Sequence, residues 1–103
     1  MRVITKATLV RFIEAHPQAA MPVLAWWRAA VVANWRTPHD LKAYAASVSI
    51  IAADRAVFNL GGNKYRLVVA IAWRQQALYI KFLGTHAAYD RMDAVAIEPE
   101  DSP

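Results

Sequence analysis

The sequence predicts an α+β domain in which N-terminal helices pack on one face of a small, mostly antiparallel β-sheet. Apolar residues recur at three- and four-residue spacing through the first third of the chain, and from Ala56 the period switches to two. A glycine-rich turn, Gly61-Gly62-Asn63, joins two of the alternating runs. One side of those runs is continuously large and apolar, which leaves the N-terminal helices to cover it.

The elements follow in order. Val3 and Ile4 make a short opening strand, and Thr5 is placed to cap a helix running through about His16, with Leu9, Phe12, Ile13 and His16 at helical spacing. Pro17 ends it. A second helix is expected from about Gln18 to Trp35, since Pro22 is tolerated near a helix start, with Leu24, Trp27, Val31 and Trp35 along one stripe. Thr37-Pro38-His39-Asp40 combines a cap, a proline at the first helical position and an acid in the first turn, and so begins a short helix through about Tyr44 or Ala46. Ser47 to Arg55 reads either as a brief strand around Val48, Ile50 and Ile51 or as an ordered loop.

Glycine supplies the positive φ that a hairpin turn needs. A turn at Gly62-Asn63 pairs Asn59 with Arg66 and Phe58 with Leu67, and sliding it to Gly61-Gly62 leaves every side chain on the same face. Phe58, Leu60, Tyr65 and Leu67 then face one way, and Asn59, Lys64 and Arg66 the other. A next turn at Gln75-Gln76 pairs Trp73 with Leu78, Ile71 with Ile80, Val69 with Phe82, Ala72 with Tyr79 and Ala70 with Lys81. That register brings Tyr79 and Lys81 onto the face of Asn59, Lys64 and Arg66. Gly84 breaks the strand, and Thr85 to Asp90 reads as a capped helical turn with His86 and Tyr89 on one side. The acidic stretch 98–103 is expected to be a disordered tail.

With 103 residues, 57% hydrophobic and 19% charged, the chain has one core and is not disordered. The absence of cysteine excludes disulfides, thiolate zinc sites and thiol nucleophiles. A net charge of +4 favours an anionic partner, and Asp54, Asp90 and Asp93 are the only acids between Lys42 and Ile97. No uninterrupted apolar run of about 20 residues is present, and the N-terminus lacks a signal-peptide pattern. A cytoplasmic protein with no membrane partner is expected.

The polar face carries the chemistry. An ordinary solvated sheet face mixes signs of charge, whereas this one collects Lys64, Arg66 and Lys81 with amides and a phenol and no acid. Small Ala70 and Ala72 leave a shallow concavity for a phosphate or a base. The grouping suits RNA cleavage without a metal: attack by a ribose 2′-hydroxyl needs a base, an acid for the leaving 5′-oxygen, and cations for the phosphate. As an imidazole, His86 could serve in either proton transfer, Lys81 or Tyr89 could serve in one, and Arg66 would grip phosphate. No metal or other cofactor is called for. His16 reads as a helix-end residue, His39 as a surface residue of a first turn, and Trp26, Trp27 and Trp35 as core or interface. Two other readings stay open: a non-catalytic RNA- or ribosome-binding module using the same face, and an interaction protein working through its apolar helix.

The segment Val57 to Leu67 (VFNLGGNKYRL), followed by Tyr79-Ile80-Lys81-Phe82 and Gly84-Thr85-His86-Ala87-Ala88-Tyr89-Asp90, resembles the HigB-type toxins of bacterial type II toxin–antitoxin systems. The resemblance extends over about residues 1 to 95. It implies a RelE-like fold and an mRNA endonuclease, often acting on message in the ribosomal A site, with a HigA-type helix-turn-helix antitoxin as partner. Residue by residue, it supplies Arg66, Lys81, His86 and Tyr89, expected in catalysis, and Asn59, Asn63, Lys64 and Asp90, expected in substrate binding, where the strand register adds Tyr79. Lys81 stands where arginine is commoner and Ala88 where glutamate is common, so a bidentate grip becomes a point charge.

Overall fold

A computed structural model describes residues 1–98. Strand β1 (Arg2–Ile4) leads into helix α1 (Lys6–Ala15). Thr5 holds the N-cap position but with φ 74°, and its hydroxyl makes no capping bond. Side-chain capping requires an extended N-cap residue, a condition met instead by Thr37 and Thr85. A 3₁₀ turn over Pro17–Ala19 enters helix α2 (Ala20–Val32), shorter at both ends than the expected Gln18–Trp35. The Met1 ammonium donates to Ala30 O (2.9 Å) and Ala33 O (2.7 Å). A cation thus sits at the negative end of the helix dipole.

The face that α2 buries is Val23, Trp26 and Ala30, one position from the expected stripe. Leu24 and Trp27 are half-buried and Val31 is exposed. Trp35 lies beyond the helix, stacked on Phe58 at 6.1 Å between centroids. Apart from Arg28 the helix is apolar all round, so its period selects no face. Helix α3 (Pro38–Tyr44) has the expected start: Thr37 Oγ1 accepts from Asp40 N, and Asp40 Oδ2 accepts from Arg36 N (2.8 Å) and Thr37 N (3.2 Å). Those backbone donors, Arg36 first, hold the Asp40 carboxyl below the usual carboxylate range.

Strands β2 (Ser49–Ala52), β3 (Arg55–Leu60), β4 (Tyr65–Ala72) and β5 (Ala77–Thr85) complete one sheet in the order β1-β5-β4-β3-β2. Only the β1–β5 pair is parallel. The ambiguous stretch before Arg55 is therefore a strand. The β3–β4 register pairs Asn59 with Arg66 and Phe58 with Leu67, as the glycine turn predicts.

The β4–β5 register departs from expectation. Trp73 to Gln76 form a four-residue loop with Gln76 at φ 54°, so Ile71 pairs with Leu78, Ala70 with Tyr79 and Val69 with Ile80. A shift of two leaves faces unchanged. The second departure does change them: Val69 pairs with Ile80 but Val68 with Phe82, so Lys81 is the extra residue of a β-bulge. One inserted residue exchanges the faces of everything that follows. Phe82 turns away from the helices, and Leu83 turns toward them.

Each face therefore has its own apolar cluster. The larger one, under the helices, includes Leu9, Trp26, Leu41, Phe58, Leu67 and Leu78. The smaller, on the face expected to be polar, joins Val57, Val68 and Phe82 to Ile97, with Tyr89 and Met92 beside it. Helix α4 (His86–Asp90) and the segment after it roof that cluster. Glu98, counted with the tail in the sequence reading, is ion-paired to Arg55 (2.5 Å) and Lys81 (2.6 Å). Residues 99–103, the rest of that tail, lie outside the described residues. No helix among the described residues is long and apolar enough to cross a membrane.

Candidate functional site

Three cross-strand rows order the second face of the sheet: Arg55–Ala70–Tyr79, Val57–Val68–Phe82 and Asn59–Arg66–Gly84. The middle row is apolar and capped by Ile97. It divides the predicted site residues into two groups. Arg66, Asn63, Lys64, His86, Tyr89 and Asp90 gather at the β3–β4 loop and α4; Lys81 and Tyr79 lie at the other end, with Arg55 and Glu98.

The first group is built from the loop outward. Gly61, Gly62 and Asn63 all take positive φ (62°, 61° and 84°), which suits glycine, and asparagine tolerates it. The Asn63 side-chain oxygen accepts from Arg66 Nη1 at 2.5 Å, tying the guanidinium to the loop that precedes it. The guanidinium carbon lies 5.8 Å from the centre of the Tyr89 ring, a cation–π separation. Thr85 Oγ1 accepts from Ala88 N (3.2 Å) and starts α4, while His86 N donates to Lys64 O (3.1 Å). Loop and helix are thereby locked together. On the surface of α4, His86 Nδ1 lies 3.0 Å from Asp90 Oδ2, and both side chains remain accessible, at 45% and 58% exposure.

The second group is more enclosed. The Lys81 side chain is 20% exposed, its ammonium paired to Glu98 and 5.9 Å from the Tyr79 ring centre. Arg55, which the sequence reading passed over, is 11% exposed and donates to Ile97 O (2.7 Å) as well as to Glu98. Its contacts staple the C-terminal segment to the sheet. Lys81, then Arg55, donate to the Glu98 carboxylate and hold its pKa below the usual value. The acid-free cationic face is thus corrected: an acid from 17 residues downstream of Lys81 neutralises one end of it. Asn59 is engaged too, its Nδ2 donating to Ser47 O at 3.5 Å. Ala70 and Ala72 are half-buried, Ala72 paired with Ala77, so the bare floor they were to provide lies away from His86. Among the described residues no three His, Asp or Glu groups converge as metal donors would.

A profile of the HigB toxin family, described as the RelE-like toxic component of a toxin–antitoxin system, matches residues 19–92. The chain belongs to that family. The matched residues run from the end of the 3₁₀ turn to the segment after α4, and so take in the first group and Arg55, Tyr79 and Lys81 of the second, but not Glu98. This HigB-family chain is also 31% identical over 97 residues to the mRNA interferase toxin HigB of Escherichia coli K12, spanning 92% of this chain and 93% of that one. The mRNA interferases HigB of Escherichia coli O157:H7 and of Shigella flexneri match to the same extent. In the family's terms, the chain is the toxic component of a toxin–antitoxin pair.

Proposed function

We propose that this HigB-family chain is an endoribonuclease that cleaves mRNA through the ribose 2′-hydroxyl, without a metal, at the Arg66–His86–Tyr89 group. The observation that carries the reading is the His86–Asp90 contact on the same short helix as Tyr89, whose ring centre lies 5.8 Å from the Arg66 guanidinium carbon. With Asp90 Oδ2 3.0 Å from Nδ1, a proton held on Nδ1 is favoured, which leaves the free lone pair on Nε2. That is the form a general base requires. The names of the 31% identical relatives support the substrate.

In the proposed reaction, His86 Nε2 removes the 2′-hydroxyl proton and the 2′-oxygen bonds to the adjacent phosphorus. The bond from phosphorus to the 5′-oxygen breaks, and Tyr89 supplies the proton that this oxygen needs. The products are a 2′,3′-cyclic phosphate and a 5′-hydroxyl end. Arg66 carries the charge that develops on the phosphoryl oxygens. Lys64, Asn59 and Asn63 border the approach, while Lys81 and Tyr79 would meet the chain farther along. Asp90 becomes a positioning residue for His86 rather than a substrate contact. Message in the ribosomal A site is the proposed substrate state in the cytoplasm, and a HigA-type helix-turn-helix antitoxin the proposed neutralising partner.

The test is induction of the chain in cells, with reporter message mapped for cut positions and the purified protein assayed with EDTA. Growth arrest with discrete cuts and EDTA-insensitive cleavage is expected; arrest with intact message would sink the proposal. Assay on free RNA and on programmed ribosomes then reads ribosome dependence directly.

A further inference from the structure

Between α1 and the Phe82–Thr85 stretch of β5 lies a cavity of about 500 Å³ that the proposed chemistry does not use. β1 reaches only Ala77 to Tyr79, so among the described residues the outer edge of β5 from Ile80 onward has no strand neighbour, and α1 lies against it instead. The cavity opens between them. Its volume is within the range of about 300–1,000 Å³ typical of pockets that enclose one small organic group.

The chemistry of the walls is selective. Phe12 and His16 stack with their rings 4.3 Å apart and 15° from parallel, and Phe82 and Leu83 supply apolar surface opposite. Arg11 is the cationic residue of the lining, and no carboxylate is among the described residues there. Two lining residues carry a buried polar atom with no hydrogen-bonding protein partner, Thr8 Oγ1 and His16 Nδ1. Such atoms are rare in folded proteins, and each is destabilising. Of the three found among the described residues, two belong to residues that line this one cavity. A rotation about Thr8 χ1, or a half-turn of the His16 ring, would present each to an occupant.

A planar aromatic group with hydrogen-bonding edges and an attached anion satisfies all of these features together: a nucleobase carried on a phosphate. The location agrees. Gly84, in the cavity wall, is the cross-strand partner of Arg66, and Thr85, also in the wall, directly precedes His86. Ala88 lines the cavity while its neighbour Tyr89 faces Arg66. We infer that the α1–β5 cavity is a base-reading subsite, holding the base of an RNA nucleotide that flanks the bond cut at His86. The inference rests on the proposed RNA cleavage.

The experiment compares cut-site preference in RNA pools carrying all four bases at each position around the cut. Thr8→Val keeps the shape and removes the hydroxyl, and His16→Phe keeps the stack and removes Nδ1. Each is expected to lower the ratio of cutting at favoured over disfavoured bases by about fivefold at one flanking position. Each should also leave the thermal midpoint equal or higher, because an unpaired buried polar atom is removed. Arg11→Gln should reduce the salt slope of RNA binding by about 0.7, the value of one single-strand phosphate contact. An unchanged base preference in both Thr8→Val and His16→Phe overturns the inference, as does altered antitoxin neutralisation with the preference intact. His86→Ala is the control: wild type that cuts beside an inactive His86→Ala keeps the proposed function standing whatever the cavity variants do. Wild type that cuts nothing defeats both.

Discussion

Arg66 and Tyr89 meet although 23 residues separate them, His86 shares the short helix of Tyr89, and local devices hold the group. Asn63 in a left-handed conformation turns its amide oxygen to Arg66, Thr85 caps the helix that carries His86, and Asp90 sits one turn below it. His86→Ala should lower RNA cleavage by about 10²–10⁴-fold, the usual worth of a general acid or base. The side chain is 45% exposed, so the thermal midpoint should barely move. Asp90→Asn should cost less than His86→Ala and should shift the rising limb of the pH–rate profile, which distinguishes positioning from a purely structural role. Gly84 is a different kind of residue. A Cβ there would stand 2.4 Å from Phe82 Cζ, so Gly84→Ala must displace an aromatic ring in a packed cluster. Overpacking of this kind costs about 1–3 kcal/mol, and pairing it with Phe82→Leu should recover part of the loss in denaturant titrations.

The hairpin and α3 could be read at the scale of elements because their signals are local. Positive φ at Gly61 and Gly62 and the Thr37–Asp40 box depend on residues within four positions of one another. Thr37→Ala should cost about 1 kcal/mol for the lost cap, whereas Thr5→Ala should cost markedly less, since the Thr5 hydroxyl caps nothing; urea midpoints of the two variants make the comparison. α2 could not be read to the same depth. Its sequence satisfies burial on almost any face, and the packing of Trp26 edge-on to Phe58 at 5.5 Å decided the matter. The bulge at Lys81 was equally invisible, for alternation in Tyr79-Ile80-Lys81-Phe82 fits an unbroken strand as well as a broken one. Phe82→Ala should cost about 3–5 kcal/mol. That is the cost of a core position, on the face where composition alone predicts solvent.

Electrostatics joins the parts of the whole molecule. Glu98 bridges Lys81 and Arg55, and these donors lower its pKa from the ordinary 4.5. A carboxyl whose folded pKa is depressed contributes stability above the unfolded value and loses it as pH falls through the folded one. The Glu98 contribution is therefore complete above about pH 4.5 and disappears in more acid solution. Unfolding followed from pH 7 to pH 3 should show a smaller acid-induced loss for Glu98→Gln than for wild type. The same substitution removes the carboxylate facing Lys81, so RNA binding should tighten and its salt slope should steepen.

Composition, the switch of hydrophobic period and the glycine turn were enough by themselves to determine the α+β class and the β3–β4 pairing that sets Asn59 opposite Arg66. Each depends on chain neighbours or on a period that admits one solution. Tertiary structure alone decided which side of α2 is buried, that Phe82 leaves the helix face, and that Glu98 returns to Lys81. Those outcomes turn on one inserted residue in a strand and on contacts between segments far apart in the chain. No local propensity distinguishes them, and the energy that selects them exists only once the sheet and its two apolar clusters have formed.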